Sequence, residues 1–174
     1  PYDDGVSPVK LDEIIACCNS EVKMDKEDRT GPLPIKGYMG IDYGPVNSER
    51  SYTVISVVGM VEGKARVLFV KKFVGKEADY AYIHRKVPEL MDKFEVRVLA
   101  ADYGMGEAPN SEIRSRIGYD RVIAYQHMPN QKDNMRWNAK MPAYTLNRNY
   151  IINSFFELIK KGTLEFPRYK DFSQ

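Results

Sequence analysis

The chain has 174 residues, of which 43% are hydrophobic and 29% are charged, and its formal net charge is +2. This length suits one domain, and this composition excludes a disordered or collagen-like chain. No apolar run approaches the roughly 20 residues of a membrane-spanning helix, so no membrane partner is predicted. The cysteines, Cys17 and Cys18, are adjacent, which excludes a disulfide scaffold and indicates a reducing, intracellular compartment.

Charge is unevenly distributed along the chain. Residues 1–28 hold eight acidic and three basic side chains, a net charge of −5, and the remainder holds 23 basic against 16 acidic, a net charge of +7. A short helix is predicted over residues 8–19, and the polar, then Gly/Pro-rich stretch 23–34 predicts a linker. We therefore expect an acidic lead over residues 1–34 and a basic domain over residues 35–174. The basic excess permits nucleic-acid binding without demonstrating it.

The domain is predicted to begin with three strands and a helix. Residues 37–42 form a short strand that ends in an aspartate. Residues 52–60 and 65–74 are rich in β-branched and aromatic side chains and predict an antiparallel hairpin. Residues 79–94 have the spacing of an amphipathic helix.

The second half of the domain alternates strands and helices. The predicted elements are strands at 96–102, 121–125 and 164–166 and helices at 107–117 and 142–161. A polar loop is predicted between the strand at 121–125 and the last helix. Three antiparallel strands followed by this alternation imply an α/β fold: a mixed sheet, with parallel strands after the antiparallel ones and helices on both faces. This is the element order of the ribonuclease-H-like fold.

Two segments of the chain share one form. Gly-Ile-Asp-Tyr-Gly at 40–44 and Ala-Ala-Asp-Tyr-Gly at 100–104 each place an aspartate at the end of a hydrophobic strand. If the two strands are parallel neighbours, Asp42 and Asp102 converge at the sheet edge where function concentrates in α/β proteins. The glycines would let the backbone turn and a substrate approach.

Two carboxylates held together predict a metal site. Their mutual repulsion is relieved by a hard divalent cation, and Mg²⁺ typically binds one or two carboxylates together with substrate phosphate. Two such ions, about 4 Å apart, would support hydrolysis of a phosphodiester. The alternative is that each aspartate only caps the element that follows it.

The chain resembles the nuclease domain of the large terminase subunit of tailed bacteriophages. The resemblance lies in these two motifs, in the helix Tyr144 to Lys161 and in the Gly-Thr-Leu-Glu-Phe-Pro that follows it. The lead, from Tyr2-Asp-Asp-Gly to Cys17, resembles the stretch that joins the packaging ATPase to that nuclease. The resemblance implies a ribonuclease-H-like endonuclease, dependent on Mg²⁺ or Mn²⁺ at a two-metal site, that cuts concatemeric double-stranded DNA during viral genome packaging. It also implies, as partners, the ATPase domain of the same polypeptide, the portal and the small terminase subunit, and it implies action in the cytoplasm of the infected bacterial host.

The resemblance also assigns residues to the site. Asp42 and Asp102 match the first two metal-binding acids of the family. The third acid of the family would lie further on than Gln174, so we expect a domain truncated at its C-terminus and weak or inactive by itself. Weaker candidates for metal ligands are Glu49, Glu107 and Asp171. Glu49 and Glu107 are more simply interpreted as a surface acid and a first-turn helix charge.

Basic and aromatic side chains are interleaved between residues 131 and 150. The candidates for contact with DNA phosphates and bases are Lys132, Arg136, Trp137, Lys140 and Arg148. An equally weighted alternative is a solvated loop with Trp137 packed on the core. Binding would be independent of sequence, because no recognition helix or finger motif is present. His127 is placed in the polar loop and outside the site.

Three other functions remain open from the sequence. A non-catalytic module that binds DNA or motor partners would explain a missing third acid. A Holliday-junction resolvase has a near fold, but the acidic lead does not suit it. The phosphate loop of actin-like ATPases also begins Gly-Ile-Asp-x-Gly, but here Pro45 and Val46 replace the hydroxyl residues that hold phosphate, and the chain is short for two such lobes.

Overall fold

A computed structural model of the protein describes residues 7–26, 36–44, 52–104 and 107–168. The strands within these ranges are β1 (Gly37–Asp42), β2 (Tyr52–Val61), β3 (Lys64–Val74), β4 (Val96–Asp102), β5 (Val122–Met128), β6 (Met135–Asn138), β7 (Ala143–Asn147) and β8 (Leu164–Glu165). The α-helices are α1 (Leu11–Ala16), α2 (Tyr80–Lys93), α3 (Glu107–Ile117) and α4 (Arg148–Lys160). Over this part of the chain, no helix is both long and apolar enough to cross a membrane.

The eight strands form one mixed sheet in the order β6-β7-β5-β4-β1-β2-β3-β8. Strands β1, β2 and β3 are antiparallel neighbours, whereas β1, β4, β5 and β7 run parallel to one another. This arrangement confirms the predicted ribonuclease-H-like sheet. Strand β6 adds an antiparallel partner to β7 at one edge, and β8 pairs in parallel with β3 at the other.

Helix α2 covers one face of the sheet. It begins after Asp79, whose carboxylate accepts a hydrogen bond from the backbone N–H of Ala81 at 2.8 Å. Its apolar side chains at helical spacing, among them Ile83, Val87 and Leu90, are fully buried in the main core, together with side chains of β1, β2, β3 and β4. This packing fixes the position of β1 and β4 at the centre of the sheet.

The other face of the hairpin carries a smaller core. Val57 of β2 belongs to the main core, while Val58 packs against a second cluster that includes Val67 of β3 and Ile159 of α4. Val9 and Cys17 from the lead are buried in the same cluster. The helices therefore lie on both faces of the sheet, as predicted.

The described part of the lead is attached to the domain by backbone hydrogen bonds. The N–H of Phe166 donates to the carbonyl of Cys17 at 2.8 Å, the N–H of Asn19 donates to the carbonyl of Phe166 at 2.9 Å, and the N–H of Arg168 donates to the carbonyl of Val22 at 2.9 Å. This pairing ends α1 earlier than the predicted residue 19, because the chain turns to run beside β8. The predicted boundary near residue 34 lies outside the described residues.

The predicted last helix and the polar loop before it are partly wrong. Residues 143–147 form β7, and α4 begins only after Asn147, whose side chain accepts a hydrogen bond from the N–H of Tyr150 at 3.0 Å. Within the predicted loop, β6 pairs along its whole length with β7. Non-local strand pairing therefore overrides the local helical pattern at the start of this segment.

A buried carboxylate supports the attachment of the lead. Glu165 is 8% exposed, accepts a hydrogen bond from Nδ2 of Asn19 at 2.8 Å and forms an ion pair with Arg66 of β3. Burial alone would raise the pKa of Glu165, but the hydrogen bonds from Asn19 and Arg66 outweigh it and hold the pKa below its usual value. Glu165 therefore stabilises the fold above pH ~4.3, and this contribution is lost as the pH falls below that value.

Replacing Glu165 by Gln is expected to lower the free energy of unfolding by about 1–3 kcal/mol at pH 7, because charge-assisted hydrogen bonds are lost. At pH 3 the difference from the wild type should shrink, because the stability that a lowered pKa contributes is lost progressively as the pH falls below the ordinary glutamate pKa. Urea unfolding at both pH values measures this. The control is Glu157→Gln, which alters an exposed ion pair with Lys161 and should change stability little. An undiminished difference at pH 3 would contradict the electrostatic explanation.

Candidate metal centre

Asp42 and Asp102 lie side by side at the carboxyl ends of two central strands. Strands β1 and β4 are parallel, and the register pairs Ile41 with Ala101. Both of these residues are buried toward the main core. Because successive side chains of a strand point to opposite faces, the next residue on each strand, Asp42 and Asp102, projects from the other face. The convergence expected from the sequence is therefore present in the fold.

The electrostatics of this pair are unfavourable without a cation. Partial burial raises the pKa of Asp42, and the negative charge of Asp102 raises it further, while the neighbouring His127 acts in the opposite direction. Two carboxylates in this arrangement fit Mg²⁺ or Mn²⁺, which complete their coordination with water and substrate oxygens. Within the described ranges, no group of three or more His, Cys, Asp or Glu side chains is placed to hold a metal. The candidate ligands Glu49 and Asp171 lie outside those ranges.

The glycine after each aspartate makes room at the site. A Cβ atom on Gly104 would lie 2.5 Å from Oδ2 of Asp102, so the absent side chain leaves space for the carboxylate itself. A Cβ atom on Gly44 would lie 2.1 Å from the backbone oxygen of Tyr52 at the start of β2. The glycines thus allow close packing around the site.

Buried polar groups support both strand ends from the core side. Asn110 of α3 is fully buried, and its Nδ2 donates to the backbone oxygen of Asp102 at 3.3 Å. The buried ring of Tyr43, next to Asp42, packs edge-on against Tyr80 and His84, with ring centroids 5.4 and 6.3 Å away. These contacts hold the backbone beneath the two aspartates.

Glu107, a weaker candidate for a metal ligand, is the first residue of α3. Its carboxylate forms an ion pair with Arg114, which is 7% exposed and whose Nη2 donates to the backbone oxygen of Pro142 at 3.2 Å. The ion pair lies within α3, and the hydrogen bond to Pro142 connects this helix to the residue before β7. Its position also agrees with a first-turn charge favoured by the helix dipole.

Two side chains of β5, Tyr125 and His127, join the site, although the sequence did not predict this for either of them. Strand β5 continues to Met128, so the placement of His127 in a loop is wrong, and Tyr125 pairs in register with Asp102. The rings of Tyr125 and His127 lie 5.3 Å apart. Burial and the charges of Asp102 and Asp42 raise the pKa of Tyr125 to about 12. The sequence does carry a signal for this longer strand: the apolar Val122 and Ala124 alternate with side chains that include Tyr125 and His127, as in a strand with one buried face.

Most of the candidate DNA contacts line one groove beside β6. The groove encloses about 900 Å³, and the charged and aromatic residues that line it are Lys132, Asp133, Arg136, Trp137 and Lys140. Trp137 is 50% exposed and contacts Tyr144 edge-on, with ring centroids 5.1 Å apart. Arg148 lies apart from the groove lining, as the first residue of α4.

Removing the charge of Asp42 is expected to stabilise the metal-free protein. Because burial and Asp102 raise the pKa of Asp42, the ionised carboxylate is disfavoured in the folded state at neutral pH. Asp42→Asn should therefore raise the melting temperature in EDTA by about 2 °C, a small effect because the group is partly solvated. Mn²⁺ should then raise the melting temperature of the wild type and not that of the variant. Thermal unfolding with and without metal measures both; a lower melting temperature for the variant in EDTA would contradict the assigned repulsion.

Solved structures with a similar fold include terminase nuclease domains and a large terminase. The large terminase nuclease of the thermophilic phage G20c is 14% identical and superposes with a TM-score of 0.61, covering 92% of this chain and 75% of that chain. The human cytomegalovirus terminase nuclease domain is 11% identical, with a TM-score of 0.55 and the same coverage. The large terminase of bacteriophage HK97 is 12% identical, with a TM-score of 0.57 over 91% of this chain and 33% of that chain.

By sequence, the chain matches no family model and no curated protein. Identities of 11–14% establish the fold alone. The chain therefore has the ribonuclease-H-like α/β fold found in terminase nuclease domains. Within that fold, Asp42 and Asp102 occupy neighbouring strand ends at the centre of the sheet.

Proposed function

We propose that this protein is the metal-dependent endonuclease domain of a viral genome-packaging terminase, and that it cuts concatemeric double-stranded DNA by phosphodiester hydrolysis. The observation that carries the proposal is the pair Asp42 and Asp102, held side by side at the ends of β1 and β4 in a terminase-nuclease fold. The raised pKa of Asp42 supports it, because perturbed carboxylates are enriched at functional sites.

Asp42 and Asp102 would hold the divalent cations of the site. When bound, such ions lower the pKa of a water molecule and neutralise charge on a phosphodiester. Solved relatives in fold include a cytomegalovirus terminase nuclease domain soaked with Mn and a G20c nuclease with bound cobalt. For this protein we propose Mg²⁺ or Mn²⁺ at a two-metal site. Glu49, Glu107 and Asp171 remain candidates for a further ligand.

The groove beside β6 would hold the DNA. The charged lining of the groove comprises three basic side chains and one acidic one, Lys132, Arg136, Lys140 and Asp133. This net positive charge favours a polyanion. Arg148, at the start of α4, would add a phosphate contact further along. Such contacts are independent of base sequence and weaken as salt concentration rises.

The domain would act within a larger polypeptide and assembly. The HK97 large terminase extends well beyond the matched region, and this chain covers 33% of it. We propose that residues 1–34 follow a packaging ATPase domain in the same polypeptide, and that the portal and the small terminase subunit are further partners. Action would be in the cytoplasm of the infected bacterial host.

Plasmid cleavage tests the proposal. Supercoiled plasmid is incubated with this chain, and with a C-terminally extended form that would supply a third acid, in Mn²⁺, in Mg²⁺ and in EDTA. We expect nicked and linear products only in the presence of metal, and more of them from the extended form. The second candidate is a module of the same fold that binds DNA without cutting it, which is favoured by the absence of a three-ligand group within the described ranges. DNA binding without cleavage in either metal, by the extended form as well as by this chain, would support that candidate and overturn the nuclease.

A further inference from the structure

One register row crosses the sheet from the carboxylates to the groove. Asp102 of β4 pairs with Tyr125 of β5, Tyr125 pairs with Tyr144 of β7, and Tyr144 pairs with Trp137 of β6. Residues that pair directly across neighbouring strands project from the same face of a sheet. The face that carries the aspartates therefore continues as three aromatic side chains in a line.

The far end of this row is open to solvent and basic. Trp137 is 50% exposed, although a tryptophan is a large apolar side chain that folding normally covers. The groove that it lines has a volume of about 900 Å³ and carries Lys132, Arg136 and Lys140 against Asp133. An exposed aromatic ring beside positive charges has the chemistry that binds a planar base attached to a phosphate chain.

From this row we infer a nucleotide subsite: an unpaired DNA base stacks on Trp137 while its strand continues across Tyr144 and Tyr125 to the carboxylates. The inference rests on the proposed nuclease function and adds to it a requirement on the substrate. A base can offer its face to Trp137 only where it is not stacked in a duplex, so the subsite selects DNA that is frayed, overhanging or opened beside the cut.

The spacing of the strands sets the distance between this subsite and the cut. Three strand intervals separate β4 from β6, and at about 4.8 Å each they span roughly 14 Å. Even at the short 3.4 Å rise of stacked duplex DNA, a strand covers that distance in about four nucleotides, and a more extended unpaired strand covers it in fewer. The base on Trp137 therefore lies within about four nucleotides of the cleaved phosphate.

Fluorescence of Trp137 tests the subsite directly, because it is the single tryptophan of the chain. The probes are a blunt duplex and the same duplex with a four-nucleotide single-stranded overhang at the 3′ or the 5′ end, in EDTA so that no metal is required. We expect at least one overhang to quench the fluorescence and to bind more tightly than the blunt duplex. Trp137→Ala should weaken binding of that overhang about tenfold, with little change for the blunt duplex.

Two matched variants separate stacking from a general loss of structure. Trp137→Phe keeps an aromatic face and should retain most of the overhang affinity. Tyr119→Ala removes another exposed aromatic, 71% exposed and in the turn before β5, and should bind both probes like the wild type.

Equal affinity of the wild type and Trp137→Ala for both overhangs, without quenching, would overturn the subsite. If wild-type protein still cut plasmid in Mn²⁺, the nuclease function would stand and only the subsite would be lost. If the wild type instead bound an overhang through Trp137 and neither it nor the C-terminally extended form cut plasmid, the subsite would stand and the nuclease would be overturned.

Discussion

Asp42→Asn is expected to reduce metal-dependent DNA cleavage by about 100- to 1,000-fold, the loss typical when one electrostatic contact to a transition state is removed. Asparagine keeps the shape of the side chain and removes the charge that attracts a divalent cation. Asp102→Asn should have a similar effect, because the two carboxylates lie at neighbouring positions of β1 and β4. The fold should remain, since the repulsion between the two acids is relieved.

The measurement is the initial rate of plasmid nicking in Mn²⁺ at equal concentrations of folded protein. Asp92→Asn is the control, because this acid is exposed near the end of α2 and far from the strand ends that form the site. It should cut like the wild type. Full activity in both Asp42→Asn and Asp102→Asn would place the chemistry elsewhere in the protein.

The second large effect is expected at Arg114. Its guanidinium is 7% exposed and is paired with Glu107 and with the carbonyl of Pro142. Arg114→Met removes the charge and leaves the carboxylate of Glu107, one oxygen of which is buried, without its partner. We expect the free energy of unfolding to fall by about 1–2 kcal/mol, less than for a fully buried ion pair, because the Glu107 side chain is 36% exposed and water can solvate its carboxylate in part.

A double-mutant cycle isolates the ion pair from the other contacts of Arg114. Adding Glu107→Gln to Arg114→Met should recover part of the lost stability, because no unpaired carboxylate then remains. The control, Arg116→Met, breaks the exposed ion pair with Glu112 and should cost less than about 1 kcal/mol. A comparable loss for Arg116→Met, or no recovery in the double variant, would contradict the importance of the buried pair.

The central strands were predictable from the sequence because their signals are local. The ranges 37–42 and 96–102 are short hydrophobic runs that stop at an aspartate, and the structure ends β1 and β4 at those residues. The parallel register that brings Asp42 and Asp102 together followed from the element order alone. The packing of the Asp102 carboxylate over Gly104 depends on a side-chain conformation that no spacing rule reports.

The edge of the sheet was not predictable in the same way. Strand β6 has four residues, Met-Arg-Trp-Asn, which carry no strand pattern of their own and become a strand by pairing with β7. Residues 143–147 were absorbed into the predicted helix, since apolar and aromatic side chains continue from them into α4. The row from Asp102 to Trp137 depends on three such registers and therefore emerges only from the folded sheet.

The most direct test of a metal centre at Asp42 and Asp102 is an anomalous difference map from crystals of this protein soaked in Mn²⁺. We expect a manganese peak between the carboxylates of Asp42 and Asp102 in the wild type, and no peak there in Asp42→Asn. A wild-type map with no manganese at this pair, at a concentration that supports plasmid cleavage, would contradict the assignment of the metal centre.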